Sequence, residues 1–172
     1  HDFLVTYGGA ERVLQSLSAL YPEAPIYTLL KDDVLVAKYF PGRTIRTSFL
    51  EHFPGWLRRR YPWLLPFYPI AVETLDLREF DLVISSSGAW SKGVVTRLHT
   101  RHIAYLHSPM RYAWDDCQKY TEDFGFPRLV KKLVPFFMNP IRLWDRVSAD
   151  RVDRIVANSN FVAARIRKYY RK

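Results

Sequence analysis

Strand-like and helix-like runs take turns along this chain, and that alternation limits the fold more than any other feature of the sequence. "DLVISSS" (81–87) is the clearest buried strand, an apolar run closing in small polar residues. "HIAYLHS" (102–108) and "RIVANS" (154–159) are two more. "APIYTLL" (24–30) is apolar and ends in the turn-like "KDD"; "RTIRTSFL" (43–50) is a weaker strand, and "HDFLV" (1–5) reads as the tail of another. Helical faces lie between them: Val13, Leu14, Leu17 and Leu20 behind Glu11, and Val162, Ile166 and Tyr169 in "NFVAARIRKYY". Strands separated by helices bury a parallel sheet on both faces. The expected fold is therefore α/β, a Rossmann-like, doubly wound, mostly parallel sheet with helices on both faces. The stretch "FPGWLRRRYPWLLPFYPIAVETLDL" (53–77) breaks the rhythm. Its prolines limit continuous helix, so short helical pieces joined by turns are expected there.

The chain has 172 residues, enough for one domain with a real core or for one half of a larger enzyme. Hydrophobic residues at 48% and aromatics at 16% exclude a disordered chain. No apolar run approaches the roughly 20 residues that a membrane-spanning helix needs. The sequence opens at His1-Asp2 with no initiator Met and no signal-peptide pattern, which leaves room for residues upstream. One cysteine, Cys117, excludes an internal disulfide and any multi-cysteine metal site, and suits a reducing compartment. The net charge of +9 points to an anionic partner: nucleic acid, a lipid surface or a phosphorylated ligand.

In doubly wound sheets ligands collect at the carboxyl ends of the strands. Three strands here end in residues able to meet one: Gly8-Gly9, Ser85-Ser86-Ser87 and His107-Ser108. Gly8 and Gly9 stand where a strand gives way to a helix, whose first amides lack internal partners and carry the positive end of the dipole. That is a phosphate site, or else a tight turn that needs glycine and binds nothing. The pattern is neither GxGxxG nor a P-loop, which argues against a dinucleotide-dependent oxidoreductase. Glu11, in the first helical turn, reads as a favourable dipole charge. His107 ends an apolar strand inside the polar-aromatic neighbourhood of Arg111, Tyr112, Trp114 and Asp115, a position that suits either structure or chemistry. Arg111 can pair with a phosphate or with Asp115 or Asp116. His99 and His102 complete no metal site.

"GGAERVL", "EFDLVISSSGAWSKGV", "HIAYLHSPMRYAWD" and "RIVANSNFVAARIRKYY" occur in this order, and with them the whole chain resembles the amino-terminal domain of retaining GT-B glycosyltransferases of family 4. "PIYTLL" and "LHSPMRYAWD" resemble the branch acting on bacterial surface polysaccharides, often mannosyltransferases. The resemblance implies that residues 1–172 form the acceptor-side domain, and that the donor-binding carboxy-terminal domain with its Glu-x7-Glu segment lies outside this chain. It implies a nucleotide-sugar donor, GDP-mannose or a UDP-sugar, with no metal and no further cofactor. Gly8 and Gly9 match the glycine loop that closes over the donor phosphates. His107 matches a histidine that contacts the transferred sugar, with Arg111 and Tyr112 in the surrounding motif.

The same resemblance implies a lipid-linked or polysaccharide acceptor and a peripheral position on the cytoplasmic, inner face of the cell membrane. Trp56, Arg58, Arg59, Arg60 and Trp63 mix aromatic and basic side chains as an interfacial surface does. Lys131 and Lys132 in "FPRLVKKLVPFF" (126–137) offer a second such piece. A nucleic-acid- or membrane-binding module without enzymatic activity is the alternative. No nucleic-acid reader motif accompanies the charge, so no nucleic-acid partner is expected.

Overall fold

The computed structural model describes residues 1–115 and 128–172, and side chains throughout these except at 128–133, 135 and 137. Cys117 and Asp116 lie outside the described residues, as do the side chains of Lys131 and Lys132.

The elements follow in the order α1 (Gly9–Leu20), β1 (Ile26–Thr28), α2 (Asp33–Tyr39), β2 (Ile45–Thr47), α3 (Gly55–Arg58), α4 (Tyr68–Glu73), β3 (Leu82–Ser87), β4 (Arg101–Leu106), α5 (Arg111–Trp114), α6 (Arg128–Ser148), β5 (Arg154–Ala157) and α7 (Asn160–Tyr170). Side-chain caps fix two helix starts: Asp32 accepts from the Leu35 amide at 2.9 Å, and Ser159 from the Val162 amide at 3.2 Å. The proline-rich middle forms α3, a 3₁₀ stretch at Tyr61–Phe67 and α4, the short pieces its prolines allow.

All strand pairs are parallel, β1 with β2 and β3 with β4 with β5. The opening segment joins the two groups. Leu4 bridges Lys31, the Leu29 amide donates to the Asp2 carbonyl at 3.0 Å, and the His1 ring reaches Ser86 in β3. Counting that segment first, the order across the molecule is β2, β1, segment 1–4, β3, β4, β5, the 3-2-1-4-5-6 order of the Rossmann fold. Neighbouring residues enter different cores: Leu4 and Ile26 pack with Leu14 and Phe40 below α1 and α2, whereas Phe3, Val5 and Tyr27 pack with α4 and α6. Helices thus cover both faces, as the alternation predicts.

Asp2 holds the seam between the halves. Its carboxylate, buried, accepts from four successive backbone amides after β3: Gly88 and Ala89 at 2.8 Å, Trp90 at 3.0 Å and Ser91 at 2.6 Å. Consecutive amides that converge in this way form an anion nest. The nest is filled by the chain's own carboxylate.

A second buried knot fixes the other end of that loop. Lys92 and Asp145 are 1% and 0% exposed and form an ion pair. Lys92 Nζ also donates to the Ala89 carbonyl at 2.9 Å, and Asp145 accepts from Trp114 Nε1 at 2.7 Å and from the Tyr170 hydroxyl at 3.0 Å. Every charged atom has partners, the condition under which burying a pair is tolerable. Burial, with the Asp145 carboxylate beside it, pushes the Tyr170 phenol well up, so it remains a donor. Gly93 follows immediately, and any Cβ there would run into the Trp144 ring.

Three sequence expectations change. On α7 the buried stripe is Val162, Ile166 and Tyr170, with Tyr169 half-buried and stacked on Trp114; a four-residue step keeps the stripe on one side. On α1 the buried face is Glu11, Leu14 and Ser18, while Leu20 is 72% exposed. In β3 the burial runs opposite to hydropathy: Ser85, Ser86 and Ser87 are buried and Leu82 is 41% exposed. The opening segment reaches only the carboxyl half of β3. Beside the other half lies an apolar cavity of about 230 Å³ against α1 and β1.

Replacing Asp2 with Ala leaves four amides without an acceptor. We expect Asp2→Ala to cost about 4 kcal/mol of unfolding free energy and Asp2→Asn roughly half of that. Urea denaturation of both variants measures it.

Candidate functional site

The order of strands reverses between segment 1–4 and β3, and the carboxyl edge at such a reversal is where an open α/β sheet leaves a crevice. Four sequence features meet there. Gly8 and Gly9 open α1, Ser86 lies one residue before the end of β3, and His107 follows β4, its amide donating to the Ser87 carbonyl at 2.9 Å. Asn158, just past β5, donates through Nδ2 to the His107 carbonyl at 3.1 Å. Ser86 is in register with Tyr105, so His107, two residues on, shares its face. Their side chains touch, with Ser86 Oγ 2.8 Å from His107 Nε2.

The glycine mouth is partly occupied. The Gly8 amide donates to Glu11 Oε2 at 2.7 Å, the returning half of a capping box. Among the described residues, the amides of Gly9 and Ala10 have no protein acceptor and remain as donors. Neither Gly8 nor Gly9 has positive φ, and a Cβ at Gly9 would meet nothing within 4 Å. The backbone here does not demand glycine. What glycine leaves is open space above the helix start.

Glu11 is more than a dipole charge. It is buried, and its Oε1 stands 3.1 Å from His1 Nε2. Burial by itself would raise its carboxyl, but the bonds to the His1 ring and to backbone amides outweigh burial and hold it below the usual range. His1 Nδ1 lies 3.1 Å from both the carbonyl and the hydroxyl of Ser86. A continuous polar line therefore runs Gly8 amide, Glu11, His1, Ser86, His107. Burial first, and then His1, push His107 down; Asp2 and Glu11 pull more weakly the other way. The imidazole is held neutral at neutral pH.

Other sequence-selected residues stand apart from this line. Arg111 is exposed at the start of α5, and among the described residues it has no ion pair. Of the partners open to it, Asp115 is taken by Arg165 and the Tyr169 hydroxyl, and Asp116 lies outside the described residues. Tyr112 is half-buried, its ring 6.2 Å from that of Trp90, so it belongs mainly to the core. In the basic-aromatic stretch Trp56 is 62% exposed and Trp63 is exposed, with Arg60 5.7 Å over its ring; Arg59 is exposed. Arg58 departs from expectation, being half-buried and paired with Glu51. Phe49 and Phe67 extend this apolar edge through Phe53. No described helix is long and apolar enough to cross a membrane. Among the described residues, no group of three or more His, Cys, Asp or Glu side chains could hold a metal ion.

Residues 7–172 match the sequence profile described as Glycosyltransferase Family 4. The chain belongs to this glycosyltransferase family. No curated protein and no solved structure matches the chain closely enough to add to this. The sheet order, with helices on both faces, is that of a Rossmann-like half of the GT-B fold. Family 4 membership gives the chain a glycosyltransferase character and makes the crevice at the strand reversal its candidate active edge.

Sequence reasoning selected His107, Gly8, Gly9 and the serines that close β3, and missed His1 and Glu11 as their companions. One signal was available: small polar residues closing an apolar strand, directly across the sheet from a histidine. Its reach to His1 and Glu11 depends on tertiary placement.

A second serine-histidine contact lies deeper, Ser85 Oγ to His102 Nε2 at 2.9 Å, with His102 Nδ1 buried and unpartnered. Burial, only partly countered by Asp153, lowers His102 from 6.5 to about 4. The unfolded chain takes up this proton near pH 6.5 and the folded protein only near 4. Stability contributed by neutral His102 is therefore complete above pH 6.5 and lost as pH falls through that window. Chemical denaturation at pH 7 and pH 4 should differ by about 3 kcal/mol from this group, and His102→Gln should flatten the difference.

Proposed function

We propose that the chain is the acceptor-side domain of a retaining glycosyltransferase that moves a sugar, mannose from GDP-mannose in the first instance, to a lipid-linked or polysaccharide acceptor. The observation that carries this reading is the meeting of the α1 mouth with His107 at one edge of the sheet, within a family 4 domain. The amides of Gly9 and Ala10 would face the donor diphosphate, which a second, donor-binding domain must bring. Glu11 adds a negative charge at that mouth, so the diphosphate approaches from the Gly9 side. His107 would hydrogen-bond the transferred sugar and position it, with no role as a nucleophile. The bond from the anomeric carbon to the donor phosphate breaks while the acceptor oxygen bonds to that carbon on the same face. The departing phosphate takes the acceptor proton, so the exchange balances without a protein nucleophile or a metal. Arg111, exposed at the start of α5, is a further candidate for phosphate contact.

Labelled nucleotide sugars offered to the full-length protein with lipid-linked acceptors test this. Transfer with retained anomeric configuration is the expected result, with kcat reduced about 10²-fold or more in His107→Ala. An inverted product overturns the retaining assignment, and an unchanged rate in His107→Ala removes His107 from the site. The 172-residue chain alone should transfer nothing.

The reading includes docking to an anionic membrane on the cytoplasmic side. Trp56 and Trp63 supply interfacial aromatics, and Arg59 and Arg60 supply charge free of the Glu51 pairing that occupies Arg58. At about 1 kcal/mol per basic residue near such a surface, these two contribute roughly 2 kcal/mol. Replacing both with Ala should weaken sedimentation with phosphatidylserine-rich vesicles about thirtyfold. Equal binding of the variant and the parent protein would place the contact elsewhere.

A further inference from the structure

The sheet is continuous along only part of its length. Segment 1–4 joins β1 to the carboxyl half of β3, and ahead of His1 the two strands flank an apolar slot, the cavity of about 230 Å³. Leu14 of α1 lines it from one core, and Val72 and Leu75 line it from the other, with Ile26 and Ile84 from the flanking strands. The slot accounts for the reversed burial of β3. Its serines are covered by segment 1–4, whereas Leu82 is 41% exposed and Val83 and Ile84 are only half-buried beside the slot.

The backbone on both walls is aimed into this slot. In β1 the Ile26 amide donates to the Thr44 carbonyl at 2.9 Å, and the Thr28 carbonyl accepts from the Ser48 amide at 3.1 Å, so these two residues bond the β2 side. Tyr27, between them, turns its own amide and carbonyl the other way. The carbonyl accepts from the His1 backbone nitrogen at 2.9 Å, and the amide has no acceptor among the described residues. In β3 the Asp81 carbonyl accepts from the Arg101 amide at 2.8 Å and the Ser87 carbonyl from the His107 amide at 2.9 Å, which assigns the odd-numbered residues to β4. Leu82 and Ile84 therefore direct their amides and carbonyls at the slot, where no partner among the described residues meets them. Ladder groups left unmet against an apolar space are costly.

We propose that the slot seats a β-strand of the same polypeptide, an extended apolar segment joined ahead of His1 and running parallel to β1 and β3. An extended backbone supplies an acceptor to the Tyr27 amide on one edge and both donors and acceptors to Leu82 and Ile84 on the other. Beside Leu82–Ile84, at about 3.3 Å per residue, the seat is roughly 10 Å long and takes about three or four residues. With a core on each face, the segment is apolar on both, a continuous run rather than an alternating one. Proline is excluded wherever its missing N–H would face a Leu82 or Ile84 carbonyl. Direction fixes the source. A strand parallel to β3 ends at His1, whose nitrogen already stands where a ladder amide would, bonded to the Tyr27 carbonyl. A strand from another chain would have to stop or turn away in the space that segment 1–4 fills. Continuation through His1 also holds its backbone from both sides, which sets its ring between Glu11 and Ser86 from within a strand. The seat stands independently of the transferase reading.

Nuclear Overhauser contacts and amide exchange in the full-length protein test this. Residues ahead of His1 should show interstrand contacts to the Tyr27 and Ile84 amides. The amides of Tyr27, Leu82 and Ile84 should exchange within about tenfold of those of Val83 and Ser85, which bond β4. Removing the residues ahead of His1 should speed exchange at Tyr27, Leu82 and Ile84 by about 100-fold or more while Val83 and Ser85 stay protected. If the shortened chain does not fold, the contacts in the full-length protein decide alone. Fast exchange at the slot amides, missing interstrand contacts, or a full-length protein with no residues ahead of His1 overturns the proposal. Contacts seen only between differently labelled chains in a mixed sample give the strand to a second copy and overturn the same-chain source. These readouts need no sugar transfer, so failure of the seat and failure of the transferase reading are told apart.

Discussion

A carboxylate two residues into the chain keeps the two parts of this sheet together. Asp2 fills a nest of four amides on the turn after β3, while its own backbone pairs with Leu29 beside β1. The charge makes these hydrogen bonds strong, and burial makes their loss costly. Asp2 thereby draws segment 1–4 against both strand groups. The position of the strand-order reversal depends on it, and so does the crevice at that edge.

Two consequences follow for the site. Holding Asp2 against residues 88–91 fixes His1 one step earlier, so the His1 ring is delivered between Glu11 and Ser86. The loop after β3 is gripped a second time by the Lys92–Asp145 pair, which ties it to α6, α5 and α7 through Trp114 and Tyr170. Such a network specifies one arrangement because any displacement leaves a buried charge without its partner. The edge presented to a ligand is then rigid, as a site that must position a sugar and a leaving phosphate requires. The exposed basic-aromatic face around Trp56 lies on a different stretch of chain, built from short helices that prolines interrupt, and it is free to serve a different contact.

Much of this was legible beforehand. The α/β alternation, the glycine mouth of α1, the short helical pieces of the middle and the ends of β3 and β4 all follow from local rules of period, capping and proline geometry. Expectations failed where a residue's neighbour is remote in sequence. Arg58 read as part of an open basic triplet, but Glu51 turns back to pair with it. Asp115 was one of the partners open to Arg111, beside Asp116 and a phosphate, but α7 brings Arg165 and Tyr169 to that carboxylate. Glu11 read as a helix-dipole charge; it also supports a histidine ten residues away.

The sequence by itself determined the fold class, the family and the identity of the groups at the carboxyl edge, because periodicity and ordered motifs are written along the chain. Tertiary structure alone decided what those groups do to one another. Hydrogen bonds such as that from Ser86 to His107, and the burial that keeps His107 and His102 neutral, depend on strands folded side by side rather than on spacing along the chain. Distance and exclusion of water set their strength, and neither is a property of sequence order.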